Sequence, residues 1–346
     1  MPDSAANRYS RQQRLPEIGF QGQMRINAAS VAIVGCGALG SVAAELLGRA
    51  GVGHLILVDR DVVQWSNLQR QLLYTERDAK LGIAKAAAAA KRLARINSSI
   101  RVTPMVIDLV PENIVEAIGA ADLWVDASDN FEVRYLMNDA AILLNRTWIH
   151  GGCVGTGGQV MTIRPQVTPC FQCILPEPPP LGSTATCDQT GVLGSATTVI
   201  AALQVAHAIR ALTAPDELPD SKMICVDVWR GQFRNISANQ LASPNCRACQ
   251  LKQFDHLNRK QIPEPIILCG QNAVQISPTI GQDKIDIHDL ARKLPPMEVP
   301  VQITPFFLRF HYQGYGVTVF RDGRTVIDGT QEPAIARSIR GQILGG

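Results

Sequence analysis

Val31-Ala-Ile-Val-Gly35-Cys-Gly-Ala-Leu-Gly40 is a short all-apolar run that breaks into a glycine-rich turn and leads into the alanine- and leucine-rich stretch Ser41 to Ala50. Apolar residues bounded by a turn signal read as a buried strand, and the stretch after them reads as a helix, ended at Gly51-Val-Gly53. A second apolar run, His54-Leu-Ile-Leu-Val-Asp59, closes on an acid 19 residues after Gly40. That spacing is near the ~20 residues expected when a carboxylate meets a ribose hydroxyl. Strand, glycine turn, helix and strand make a βαβ unit.

Outward from this unit the same alternation continues. Lys80 to Ile96, rich in alanine, predicts a helix, and Ile100 to Ile107 and Leu123-Trp-Val-Asp-Ala127 predict strands. The pattern implies an α/β fold around a doubly wound parallel sheet. Met161 to Asp188, with Pro165, Pro169, Pro176 and Pro178-Pro-Pro180, predicts a long loop, followed by a helix over Val192 to Leu212 and a strand over Lys222 to Val228. The charged stretch after Cys249, with Pro263 and Pro265, reads as a linker. Residues 263–346 are then expected to form a small α+β extension, in which Gly316 to Phe320 and Arg324 to Asp328 pair across Asp322-Gly323 and Pro333 to Leu344 closes as a helix. No internal repeat is evident.

Composition excludes whole classes of function. Of 346 residues, 46% are hydrophobic and 18% charged, with mean hydropathy +0.05, which suits sizeable cores and not a fibrous, disordered or membrane-embedded chain. Lys and Arg number 33 against 30 Asp and Glu, too even a balance to attract nucleic acid or a membrane surface. The long apolar run Gly191 to Ile209 is interrupted by Gln204 and His207 and predicts a buried helix. Met1 to Phe20 carries several charges and no apolar run, so no signal segment is expected and the protein is expected to be cytoplasmic.

A glycine-rich turn after a strand presents backbone N–H groups and a helix amino terminus to phosphate, so Gly35, Gly37 and Gly40 with Asp59 predict a nucleotide site. These residues suit NAD and ATP alike. Ser66-Asn67-Leu-Gln-Arg70-Gln71, Lys85 and Asp126-Ala-Ser-Asp129-Asn130 are groups that a triphosphate needs and a hydride-transferring site does not. Arg70 and Lys85 can neutralise phosphates, and Asp129, at the carboxyl end of a strand, can hold Mg²⁺ at the ligand-binding edge of the sheet. The plainer alternative makes Arg70 and Lys85 solvated helix charges and Asp129 the cap of a helix beginning near Phe131.

In this order, with Arg8-Tyr-Ser-Arg11 and Gly22-Gln23 at the start, Leu-Gly-Ile-Ala-Lys85, and Asp129-Asn130 followed by Arg134, the motifs resemble the ThiF/MoeB group of ubiquitin-activating-like enzymes over about residues 7 to 252. The resemblance implies a Rossmann-like adenylation domain over residues 1–252 that uses ATP and Mg²⁺ to adenylate the terminal glycine of a small ubiquitin-like sulfur-carrier protein ending in Gly-Gly, for thiamine, molybdopterin or a related product. It further implies that Asp59 holds the ribose, Asn67, Arg70 and Lys85 hold the phosphates, and Asp129 binds Mg²⁺. Arg11 is implied to reach into the partner subunit's site, hence a homodimer.

Cys170-Phe-Gln-Cys173 and Cys246-Arg-Ala-Cys249 share one internal spacing and can supply four thiolates to one structural Zn²⁺, tying the proline-rich loop to the end of the domain. Cys187 precedes a predicted helix and is a candidate nucleophile for sulfur transfer, with inert burial as the alternative. Cys36, Cys153, Cys225 and Cys269 read as packing residues, and His150 and His207 as histidines with no visible partner. Residues 263–346 contain no cysteine loop of rhodanese type, so sulfur is expected from a separate donor protein, and the tail Leu344-Gly345-Gly346 reads as a flexible end. Other readings open at this point are an NAD-dependent oxidoreductase, a catalytically silent carrier-binding scaffold, and adenylation of a different acceptor, a tRNA group or a peptide.

Overall fold

Five parallel strands carry the first half of the chain: β1 (Ser30–Val34), β2 (His54–Val58), β3 (Arg101–Met105), β4 (Leu123–Asp126) and β5 (Trp148–Val154). The chain then turns back antiparallel through β6 (Gly157–Ile163), β7 (Lys222–Asp227) and β8 (Gln232–Ser237), giving one mixed sheet in the order β3-β2-β1-β4-β5-β6-β7-β8. The computed structural model describes residues 8–179, 190–214, 222–259, 265–268, 272–278, 284–294 and 301–344. Cys187, Cys269 and the Gly345-Gly346 tail lie outside the described residues.

The sheet is parallel where a helix crosses between strands and antiparallel where one does not. β5 and β6 are joined only by Gly155-Thr156, with Gly155 at φ 60°, and a turn that short permits only an antiparallel return. The parallel half is α/β and doubly wound as expected, and β7 lies where a strand is expected; β5, β6 and β8 carry no alternation strong enough to be read from sequence. The stretch predicted as one helix from Lys80 is two. Glu76–Lys80 starts on a Thr75 capping box, Gly82 turns the chain at φ 52°, and Lys85–Ile96 follows.

On one face of the sheet the helix Ala38–Ala50 packs against the long helix Gly194–Thr213, which also covers β5 and β6. By length and composition Gly194–Thr213 could cross a membrane; here it is packed against the sheet. On the other face the helix Phe131–Leu144 buries Tyr135, Leu136, Met137 and Ala140 against Ala32, Trp124, Trp148, Met161 and Phe171. Trp124, fully buried, still donates its indole N–H to the Ile118 carbonyl at 2.8 Å.

The chain folds as two compact units, Met1–Arg259 and Lys260–Gly346. The second is built on an antiparallel sheet of β9 (Ile266–Leu268), β10 (Ala273–Ile276), β11 (Gln302–Ile303), β12 (Phe307–Tyr312), β13 (Tyr315–Phe320) and β14 (Thr325–Asp328), in the order β11-β12-β13-β14-β10-β9. Helices Ile287–Lys293 and Pro333–Leu344 cover one face around Val274, Leu308, Phe310, Val317, Val319 and Ile327. The expected hairpin across Asp322-Gly323 and the closing helix are both present.

Candidate active site

Strand order reverses between β1 and β4, and the crevice outside their carboxyl ends is where an open α/β sheet binds its ligand. The glycine turn enters this crevice from β1. Gly35 sits at φ 92°, and a Cβ there would meet the Ala127 carbonyl oxygen at 2.6 Å; one on Gly40 would meet the Gly35 oxygen at 1.8 Å. Both positions need glycine for packing of strand, turn and helix. Gly37, just before the helix Ala38–Ala50, has no neighbour closer to its missing Cβ than Gln71 Nε2 at 3.8 Å, which leaves room for a phosphate against the backbone.

Asp59 closes β2 beside this turn. Its Oδ2 accepts the Cys36 N–H at 2.6 Å and its Oδ1 the Asp61 N–H at 2.7 Å, and each oxygen keeps a lone pair for a ribose hydroxyl. Burial pushes the Asp59 carboxyl up, opposed by the ammonium of Lys85. Lys85, buried at the start of its helix, donates to Asp61 Oδ2 at 2.9 Å. Burial disfavours its charge, but Asp61 and Asp59 override that, Asp129 adds to them, and Lys85 is held above the usual lysine range. Arg60, clamped on Asp108 at 3.0 and 3.2 Å, is likewise kept charged with a contribution from Asp129. The structure therefore brings Gly35, Gly37, Gly40, Asp59, Lys85 and Asp129 into one electrostatic neighbourhood.

The helix Phe131–Leu144 is capped by Asn130, whose Oδ1 accepts the Glu132 N–H at 2.8 Å. Asp129 is thus not the cap. It is exposed, and among the described residues its side chain makes no hydrogen bond or ion pair. An exposed carboxylate at the carboxyl end of β4, with no hydrogen-bond partner among the described residues, has the donor chemistry that Mg²⁺ takes.

Asn67 and Arg70 stand on the segment after β2. Asn67 is buried and accepts the Gln64 N–H at 3.0 Å in a capping box, while Arg70 Nη1 donates to the Ser66 carbonyl at 2.8 Å. Arg11 is exposed on the short helix Ser10–Gln13, and among the described residues its guanidinium has no partner. Neighbouring Tyr9 is fixed, its hydroxyl accepting from Asn97 Nδ2 at 2.8 Å.

The four cysteine sulfurs lie within 4.8 Å of one another. Separations of 3.9 Å for Cys170–Cys173, 3.6 Å for Cys170–Cys246 and 3.5 Å for Cys173–Cys249 match the roughly 3.8 Å edge of a tetrahedron with Zn–S bonds of about 2.3 Å. The helix Phe131–Leu144 holds this module from below. Asn138 Oδ1 accepts the Phe171 N–H at 2.8 Å, the Tyr135 hydroxyl donates to the Leu175 carbonyl at 2.7 Å, and Asp139 Oδ2 accepts the N–H groups of His256 and Leu257 at 2.9 and 3.3 Å.

Two residues read as partnerless are in fact engaged. His207 Nδ1 is 2.8 Å from Thr162 Oγ1, and His150 Nδ1 is 2.8 Å from Asp126 Oδ2 at the end of β4. Arg60, Asp61 and Asp108 also stand at the candidate site and carry no sequence signal beyond the closeness of Arg60 and Asp61 to Asp59; Asp126 shares the sequence motif of Asp129, which gives it no role of its own.

Residues 9–248 match the ThiF family model. The chain belongs to the ThiF family. It is an adenylyltransferase of this kind, 40% identical over 338 residues to the sulfur carrier protein ThiS adenylyltransferase of Bacillus subtilis, covering 98% of this chain and 99% of that one. It is 36% identical to the sulfur carrier protein adenylyltransferase of Thermus thermophilus, over 76% of this chain and 96% of the other. The adenylyltransferase and sulfurtransferase MOCS3 of Sus scrofa is 40% identical over 70% of this chain, which spans about half of that longer protein (52%). Among solved structures, Escherichia coli MccB with ATP superposes with a TM-score of 0.61 at 25% identity, covering 70% of this chain and 74% of that one.

Metal analysis of protein purified without chelator should give one zinc per chain. Cys246→Ser should lose the zinc and several kcal/mol of stability, as loss of a structural metal site does. Wild-type protein that is zinc-free, reduced and melts at the same temperature as the serine variant contradicts this assignment.

Proposed function

We propose that this chain transfers the adenylyl group of ATP to the terminal glycine of a small ubiquitin-like sulfur carrier, with release of pyrophosphate. The observation that carries the proposal is a glycine cradle flanked by the buried ammonium of Lys85, with Asp129 left uncommitted beside it. Hydride transfer needs no such set. A carrier carboxylate oxygen attacks the α-phosphorus, the bond to the bridging oxygen of the β-phosphate breaks, and the electron pair leaves with pyrophosphate.

In this reading Asp59 holds the ribose, Gly37 lets the polyphosphate reach the helix amino terminus, and Asn67, Arg70 and Lys85 neutralise its oxygens. Lys85 is already charged and oriented by Asp61, so little reorganisation accompanies binding. Mg²⁺ held by Asp129 would supply further charge neutralisation on the phosphates. The zinc module has no open ligand position and serves as structure.

The carrier has a surface to meet. β7 runs parallel to β5, so the hairpin from β7 to β8 stands on the same sheet edge as the nucleotide crevice. All of β8 is exposed, with Phe233 at 65% and Trp229 at 77%, and Val154 is exposed nearby at the end of β5. A strand at the edge of the sheet, with no strand on its outer side among the described residues and with apolar side chains, suits a carrier that docks its own sheet and lays an extended tail toward the phosphates. A ThiS-like carrier is favoured, because the likeness to the Bacillus subtilis enzyme includes the second unit. Leu15, Phe20 and Met24 are exposed near Arg11 in sequence, as a dimer face bringing Arg11 to the partner subunit's site requires.

Asp129→Ala should fold, keep its zinc, and lose about a hundredfold or more in carrier-dependent ATP–pyrophosphate exchange. An unchanged rate would remove Asp129 from the site, and exchange with a peptide but no Gly-Gly carrier would change the acceptor. Phe233→Asp should raise KM for the carrier several-fold while leaving KM for ATP unchanged; equal effects on both would place the carrier elsewhere. Mixing Arg11→Ala with Asp129→Ala protomers should restore up to about a quarter of wild-type activity, since half the dimers are mixed and one site in each is intact. No recovery despite subunit exchange would mean that Arg11 does not act across a dimer.

A further inference from the structure

Among the described residues the Asp129 side chain has no hydrogen-bond partner, yet the residues on either side of it are clamped. Asp126 has no exposed surface, and its Oδ1 accepts both the backbone N–H and the hydroxyl of Ser128, at 3.0 and 2.6 Å. Arg134 returns from the next helix to donate from Nη2 to the Ser128 carbonyl at 2.6 Å. Ser128 is therefore gripped through its donor, its hydroxyl and its acceptor. Asn130, on the other side, is fixed as the helix cap.

What orients the clamp is the other oxygen of Asp126. Oδ2 lies 2.8 Å from His150 Nδ1 and 3.3 Å from Arg134 Nε, the latter an ion pair rather than an aligned hydrogen bond. His150 is 1% exposed on β5, and Gln159 Nε2 lies 3.4 Å from its Nε2. The amide donates to Nε2, which fixes the neutral ring with its proton on Nδ1, pointing at Asp126. Gln204, on the long helix, donates to the Asp126 carbonyl at 2.6 Å. Both carboxylate oxygens and the backbone carbonyl of Asp126 are thus engaged.

We infer that His150, acting through Asp126 and Ser128, is a positioning residue that sets where Asp129 presents its carboxylate to the nucleotide-bound cation. The inference rests on the reading of Asp129 as a magnesium ligand. Outer partners of a metal ligand typically govern ~10- to 100-fold in metal affinity by fixing ligand orientation. His150→Ala removes the donor, whereas His150→Asn places an amide N–H close to where Nδ1–H stood.

The test is Mg²⁺ titrated by calorimetry into full-length protein saturated with α,β-methylene-ATP, paired with hydrogen exchange of the peptide spanning residues 127–131 in zinc-loaded protein without Mg²⁺. His150→Ala should weaken Mg²⁺ binding roughly tenfold or more and speed exchange at Ser128, while His150→Asn should recover both to near wild type. If His150→Ala does not fold, Ser128→Ala carries the same expectation through the lost hydroxyl. Wild-type Mg²⁺ affinity in folded His150→Ala or Ser128→Ala, or weakened binding that asparagine does not rescue, overturns the inference. Asp129→Ala runs in parallel: if it binds Mg²⁺ as wild type does, the magnesium reading and this inference fall together, and if only Asp129→Ala weakens binding, the positioning role alone fails.

Discussion

A charged carboxylate with no exposed surface sits at the carboxyl end of a central strand, and the active-site architecture follows from how Asp126 is satisfied. Burying a carboxylate costs several kcal/mol unless its lone pairs are filled, and removing one partner of such a group leaves a penalty of the same order. Burial alone would raise its pKa, but Arg134 and His150 outweigh that and hold Asp126 below the usual carboxylate range, so it stays ionised. Each partner comes from a different element. His150 ties β4 to β5, Arg134 ties the strand to the following helix, and Ser128 bends the chain outward at the crevice.

The nucleotide side of the crevice is organised by the opposite problem, a buried cation that carboxylates must keep charged. Lys85 is buried with Asp61 as its resting counter-ion, and Asp59 and Asp129 add to the field that keeps it protonated. Substituting phosphate oxygens for part of that acidic field exchanges one charge-assisted set of bonds for another, so binding does not require a bare buried cation at any stage. The glycines act sterically: Gly35 and Gly40 let strand and helix close on each other, and Gly37 leaves the backbone open.

Much of this was legible in sequence because the signals were local. A glycine turn between an apolar strand and a helix, an acid some twenty residues on, and two equal Cys-x-x-Cys spacings each constrain chemistry within a few residues. The meeting of the four cysteines and the nearness of Asp59, Lys85 and Asp129 could be read this way. Of the strands after β4 in the mixed sheet only β7 was legible: β8 is exposed along its whole length and β5 contains two glycines, so neither shows the alternation that marks a half-buried strand. His150 was opaque for a different reason. Its partner is 24 residues away on an adjacent strand, and only tertiary pairing turns a lone core histidine into the support of Asp126. Asn130 rather than Asp129 caps the helix, a choice that sequence leaves open because both residue types are good N-caps.

The central claim is chemical, that an adenylyl group moves from ATP to the terminal carboxylate of a Gly-Gly carrier. Intact-mass spectrometry of a ThiS-like carrier incubated with this protein, ATP and Mg²⁺, without a sulfur donor, reads it directly. The carrier should gain the mass of one adenylyl group, lose it with hydroxylamine, and gain nothing when its last glycine is removed. An unmodified carrier under conditions where the protein is folded, zinc-loaded and binds ATP would contradict the account.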